Sequence, residues 1–291
     1  MAAGVRAYKS ASTAGVAPTA SPAWIHLCFI LGLIAMSTAC SAGYQGQVRD
    51  LHRAINAGNT DGALSHANAA LGVDRSDQLP TTVGGDVPLL LLERASLLQA
   101  EGDDKGATRD FAAADKALEV LDFTEDDAGE VGKYLFSDDA AVYRAPPHEK
   151  LLVNTLAMVS YLAAGDVGGA KVEARRLTVL QKYFSDAAPE ELALFGVGSY
   201  LAGYAFEMAG AQDEALRHYL DARKHGNHQG LDAQISYLGR ATGFESDDVV
   251  EAIKSNPDSA GPGEGEGDVL IVVQNGRAPY KVAQRFPIGA F

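Results

Sequence analysis

One phrase of sequence recurs four times and constrains the fold more than any other feature of the chain. Each copy has an apolar stretch, a glycine, four further residues, an alanine, and small or apolar residues four and seven positions after that alanine. The copies are Gly58/Ala63/Ala67/Ala70, Gly102/Ala107/Phe111/Ala114, Gly165/Ala170/Ala174/Leu177 and Gly210/Ala215/Tyr219/Ala222. This spacing predicts two helices joined by a tight turn, because glycine suits the end of the first helix and alanine allows the second to approach closely.

The repeated phrase resembles the tetratricopeptide repeat, which folds as stacked helix pairs. In the fourth copy, Gly203 and Phe206 stand at the small-residue and aromatic positions of the first helix. The glycines are 44, 63 and 45 residues apart, whereas a regular repeat has about 34 residues. We therefore expect a mainly α fold, an α-solenoid of tetratricopeptide-like helix pairs over residues 40–255, with an insertion at 121–147.

The periodicity changes after residue 255. Residues 256–268 are rich in glycine, proline and acidic side chains, which is typical of a flexible linker. Residues 269–273 are apolar and favour a strand, Gln274, Asn275 and Gly276 favour a turn, and residues 280–284 favour a second strand. We expect a β-hairpin over residues 269–291 that packs on the solenoid or pairs with a partner, because an isolated hairpin is marginal in water.

The N-terminal 39 residues have the organisation of a secretory signal. They contain no acid, two early cations and an apolar run at 23–36 that only His26 interrupts. The small residues before Cys40 resemble the lipobox of bacterial lipoproteins, although Ser37 stands where Leu is commoner. The resemblance implies cleavage before Cys40 and lipidation of its thiol, palmitate included. The alternatives are an ordinary signal peptide or an uncleaved anchor, but the 17 residues 23–39 reach only about 25 Å as a helix.

Net charge restricts the partners. Arg6 and Lys9 are the only charged residues before Cys40, so the chain from Cys40 onward carries 22 basic against 38 acidic residues. A surface this acidic repels phosphate backbones and anionic headgroups, which disfavours nucleic-acid binding. We expect membrane association through the lipid anchor instead, in the bacterial cell envelope, with the outer membrane favoured by Ser41 after the cysteine.

The chain also resembles a family of bacterial tetratricopeptide-like envelope lipoproteins over about residues 89–287. The most specific matches are Tyr143, residues 149–154, residues 161–166, Ala170, residues 172–176 and residues 267–273 with Gly276 and 279–281. The resemblance implies an envelope lipoprotein with no known reaction. It also implies a loose association with other envelope lipoproteins, including activators of cell-wall synthases.

The sequence contains no constellation of adequate specificity for catalysis. It has no Gly-x-Ser-x-Gly elbow and no phosphate-binding loop. Cleavage would remove Cys28 and lipidation would modify Cys40, so no free thiol would remain. His218, His225 and His228 have spacing that could supply metal ligands, but Gly226 breaks the helix that would carry them. We expect no enzyme activity, no cofactor and no metal.

One polar cluster is a candidate for partner binding. It comprises Tyr143, Glu149, Asn154, Glu173, Arg175 and Arg176. Paired arginines are an exception in an acidic protein, and arginine forks suit carboxylates. The alternative is a set of solvated ion pairs that braces the insertion against the repeat.

These features favour a lipid-anchored scaffold that binds a peptide or protein partner. Two other hypotheses stay open. One is an envelope enzyme that acts on cell-wall material through an unrecognised site. The other is a structural tether with no specific ligand.

Overall fold

Ten α-helices follow one another in the described part of the chain and form five hairpins. The computed structural model describes residues 44–82, 84–122, 145–187, 195–226, 229–261, 263, 267 and 269–274. The chain divides into Met1–Gly43, which lies outside these residues, and Tyr44–Phe291. The hairpins are α1 (Tyr44–Asn56) with α2 (Thr60–Ala70), α3 (Val87–Ala100) with α4 (Asp104–Asp122), α5 (Pro147–Ala163) with α6 (Val167–Ala187), α7 (Phe195–Met208) with α8 (Gln212–Gly226), and α9 (Asp232–Thr242) with α10 (Asp247–Ser255).

The first four hairpins share one turn. Their glycines, Gly58, Gly102, Gly165 and Gly210, have φ between 70° and 79°, which is the left-handed region where a Cβ is strained. In each turn the amide after the glycine donates to a carbonyl near the end of the first helix, as Asp103 N does to Leu98 O at 2.9 Å. In three hairpins the residue after the glycine also caps the second helix with its side chain. Asp103 Oδ1, for example, accepts a hydrogen bond from Gly106 N at 3.0 Å.

The alanine five positions after each glycine is fully buried against its hairpin partner. These residues are Ala63, Ala107, Ala170 and Ala215. Their burial confirms the predicted helix pairs, because a small side chain at this position lets the two helices pack closely.

A fifth hairpin was not predicted. Gly243 has φ 69° and ends α9, but four residues rather than three separate the helices. The longer turn displaces the buried position, so Val249 packs against Gly239 and no Gly-x4-Ala phrase occurs.

Packing proceeds along the chain. The extensive contacts join consecutive helices, and α5 also packs directly on α7. The close packing of α7 depends on its small residues. A Cβ on Gly203 would lie 2.7 Å from the Tyr219 ring, and one on Gly196 would lie 2.5 Å from the Gly226 backbone. The largest core cluster is shared by α5 to α10.

The predicted β-hairpin is not supported. Residues 269–274 form no strand, and the second predicted strand at 280–284 lies outside the described residues. Of the predicted insertion at 121–147, residues 121 and 122 complete α4, and residues 123–144 also lie outside them. Within the described residues, no helix is both long and apolar enough to cross a membrane.

Candidate functional site

The first helices of the five hairpins are linked in order by one packing contact and by side-chain hydrogen bonds, and we name the surface of these helices the first-helix face (α1, α3, α5, α7 and α9). Glu93 on α3 joins the first two of these helices. Its Oε1 accepts from the Tyr44 hydroxyl at 2.8 Å and lies 2.9 Å from His52 Nε2, both on α1. Burial, together with the Glu93 carboxylate, raises the pKa of Tyr44. The phenol therefore keeps its proton and serves as a donor.

Gln99 joins α3 to α5. Its Nε2 donates to Leu156 O at 2.9 Å and to Ser160 Oγ at 2.6 Å. Both acceptors are on α5, and Ser160 is fully buried. The amide side chain of Gln99 therefore connects α3 to α5.

Glu207 joins α7 to α9. It accepts from Gln234 on α9, and its Oε2 accepts from the Tyr219 hydroxyl at 2.7 Å. Burial of Tyr219 and the adjacent Glu207 raise the pKa of the phenol, which keeps it a donor. Since α5 packs on α7 directly, each of the five first helices is linked to the next by packing or by a side-chain hydrogen bond.

Described residues after α10 contact this face; we name residues 256–261 and 269–274 the C-terminal segment. Ser236 Oγ on α9 donates to Asn256 O at 2.7 Å, and Arg240 donates to Ser259 O. The backbone at Gly261 then passes so close to Tyr237 that a Cβ there would lie 2.5 Å from the ring.

The C-terminal segment then reaches the second hairpin. Leu270 packs, partly buried, on the core of α5 to α10. Gln274 Nε2 donates to Gln99 Oε1 on α3 at 2.6 Å. The C-terminal segment thus contacts α9 near its start and α3 at its end.

The predicted cluster is distributed between buried and surface positions. Asn154 and Glu173 are both buried, and Asn154 Nδ2 donates to Glu173 Oε2 at 2.8 Å. Asn154 Oδ1 has no hydrogen-bond partner among the described residues. Arg176 Nη1 lies 2.5 Å from Asp115 Oδ2 on α4 and 3.7 Å from Glu173 Oε1. Arg176 therefore bridges the second and third hairpins.

Arg175 lies in a different environment from Arg176. Its guanidinium carbon is 5.4 Å from the centre of the Phe206 ring on α7, a cation–π contact. The His218 ring on α8 stacks on the same phenylalanine, 5.2 Å away and 10° from parallel. Arg175 thus connects the third hairpin to the fourth.

The other predicted site residues are less informative. Glu149 lies in the first turn of α5, 4.0 Å from His148 Nε2, and its charge contributes to the raised pKa of Tyr44. Cys40 and Tyr143 lie outside the described residues. Whether the cluster binds a partner stays a prediction, but Asn154 and Glu173 are too buried to contact one without a rearrangement.

Sequence reasoning missed a buried ion pair between Arg94 and Asp110. Both side chains are fully buried, and Arg94 donates to the two carboxylate oxygens of Asp110 at 2.6 and 3.0 Å. Arg94 also donates to Asn68 Oδ1 on α2 and to Gln78 O. The available signal was one arginine inside the apolar run of α3, where a charge is buried only if it is paired.

No group of three or more His, Cys, Asp or Glu side chains within the described ranges is placed to hold a metal ion. The sequence matches no protein-family model, and a search of curated proteins finds no match. The arrangement of the hairpins is therefore the basis for a functional proposal.

Proposed function

We propose that this protein is a lipid-anchored, tetratricopeptide-like scaffold of the bacterial cell envelope that binds a peptide or protein partner on its first-helix face. The observation that carries the proposal is the succession of first helices, in which α5 packs on α7 and side-chain hydrogen bonds join the other neighbouring pairs. Stacked helix pairs of this kind present an extended surface that no single hairpin could offer.

The chemistry of the face suits a peptide segment. The face carries hydroxyl, amide and carboxylate groups, among them Tyr44, Glu93, Gln99 and Glu207. Such groups can bind the backbone of a peptide, while aromatic rings contact its side chains.

Photo-crosslinking in cells tests this location. A photoreactive phenylalanine analogue replaces either Tyr200, half-buried on α7, or Gln99 on α3. The control position is Tyr183 on α6, a second helix, where the side chain is 67% exposed. We expect one partner to crosslink at both first-helix positions and not at Tyr183. Equal crosslinking at Tyr183, or no partner at either first-helix position, would exclude binding on this face.

The anchor has its own test. The first described helix begins at Tyr44, only four residues after Cys40, so a lipid there would hold the first hairpin close to the membrane. We expect Cys40→Ala to abolish lipidation and partitioning into detergent, with Ser41→Ala as the control. Unchanged partitioning of Cys40→Ala would refute the lipoprotein assignment.

A further inference from the structure

The described contacts of the C-terminal segment involve two first helices and the core. Gly261 lies against Tyr237 on α9, and Gln274 Nε2 donates to Gln99 Oε1 on α3. Leu270 packs, partly buried, against the core of α5 to α10. Residues 269–274 therefore contact the helical array at Leu270 and again at Gln274.

Among the described residues 269–274, few side chains hold the segment on the face. Leu270 packs on the core, whereas Val269 is 85% and Ile271 78% exposed, and Val273 is also exposed. Gln274 adds one side-chain hydrogen bond to Gln99. A segment with a single partly buried apolar residue is weakly bound, and its attachment to α10 compensates by keeping its local concentration high.

We propose that residues 269–274 are an intramolecular ligand of the first-helix face and compete there with the partner. This inference rests on the proposed function. It also indicates the chemistry of that partner: a segment with an aliphatic residue at the Leu270 position and an amide or similar polar side chain four residues later, at the Gln274 position. A partner that buries more than one aliphatic side chain on the face would displace the segment, because the segment buries only Leu270 there and leaves its other apolar side chains exposed.

Competition in trans tests the inference with the full-length chain. The reagent is a fluorescein-labelled peptide of residues 267–274, and its dissociation constant is measured by fluorescence anisotropy. Three proteins are compared: the unchanged chain, Leu270→Ser, and Ile271→Ser. Leu270→Ser weakens the intramolecular contact, whereas Ile271→Ser is the matched control because Ile271 is exposed. Melting temperatures check that all three remain equally folded.

We expect the peptide to bind Leu270→Ser at least ten-fold more tightly than the unchanged chain or Ile271→Ser. A peptide that itself carries the Leu270→Ser change should bind none of the three. Equal affinity for all three proteins, or no binding to Leu270→Ser, would overturn the inference. The crosslinking experiment can fail independently of this one. If no partner crosslinked to the first-helix positions but the ten-fold difference in peptide affinity were observed, the proposed function would be refuted and the intramolecular contact would stand.

Discussion

At the scale of single residues, His218 is half-buried in a setting that opposes its protonation. It stacks on Phe206, and its Nδ1 has no hydrogen-bond partner within the described part of the chain. Burial lowers the pKa of the imidazole and outweighs Asp221 and Glu214, which raise it, while Arg217 lowers it further. The folded state therefore favours the neutral ring.

This lowered pKa predicts a pH dependence of stability. Between the folded pKa and the ordinary value of about 6.5, the unfolded chain binds more protons at His218 than the folded chain does. The free energy of unfolding should therefore fall as the pH drops through this window, with no further loss from His218 below it. In urea titrations at several pH values, His218→Phe should reduce this slope and keep the stack. An unaltered slope in His218→Phe would refute the prediction.

Substitution of the two arginines of the predicted cluster can distinguish binding of a partner from a purely structural role. Arg176 is paired with Asp115 and Glu173 and is 37% exposed, so Arg176→Gln should cost about 1–2 kcal/mol of stability. We expect the double variant Arg175→Gln/Arg176→Gln to melt at a lower temperature but to capture the partner normally per folded molecule, because both arginines lie on a second helix. Lost capture at an unchanged melting temperature would instead support recognition of a carboxylate.

At the scale of helices, the buried alanines set how closely each hairpin can pack. Ala107 is fully buried on α4, whereas Ala112, one and a half turns later, is exposed. Ala107→Leu should overpack the hairpin and cost about 1–3 kcal/mol, while Ala112→Leu should be nearly neutral. Thermal unfolding followed by circular dichroism measures both. Equal effects of the two substitutions would contradict the role assigned to the repeated alanine.

The hairpins that could be predicted are those whose turns keep one length. Gly58, Gly102, Gly165 and Gly210 are each followed by a buried alanine at a constant distance, and this spacing is visible in the sequence. The hairpin at Gly243 escaped prediction because one additional turn residue shifts the buried position and changes its side chain to valine. A local pattern detects only turns of the length that it encodes.

Features that depend on contacts distant in sequence could not be predicted. The residues 269–273 have the composition of a strand, but the described backbone forms none, and among them only Leu270 packs on the helical core. The Arg94–Asp110 pair joins α3 to α4, and its bond to Asn68 adds α2, so its meaning emerges only after the helices are assembled. The same holds for Asn154 and Glu173, whose burial no spacing revealed.

At the scale of the whole molecule, stability should vary along the array. A hairpin that contacts only its neighbours opens with a free energy set by those contacts. The first hairpin has one neighbour, and three of its buried residues are Ala54, Ala63 and Ala67. The fourth packs on both sides and contributes to the largest core cluster. Amide protection should therefore be lowest in α1 and α2 and highest in α7 and α8.

Two matched core substitutions make this gradient testable. Leu51 in the first hairpin and Leu216 in the fourth are both fully buried, and each change to alanine removes the same atoms at a cost of about 2–5 kcal/mol. Leu51→Ala should accelerate hydrogen exchange in α1 and α2 and leave α7 and α8 protected. Leu216→Ala should lower protection in α7 and α8, which exchange only on global unfolding, and should leave α1 and α2, which open locally, unchanged. If Leu51→Ala lowered protection equally in all five hairpins, the array would unfold as one cooperative unit, and stability would not be a sum of neighbour contacts.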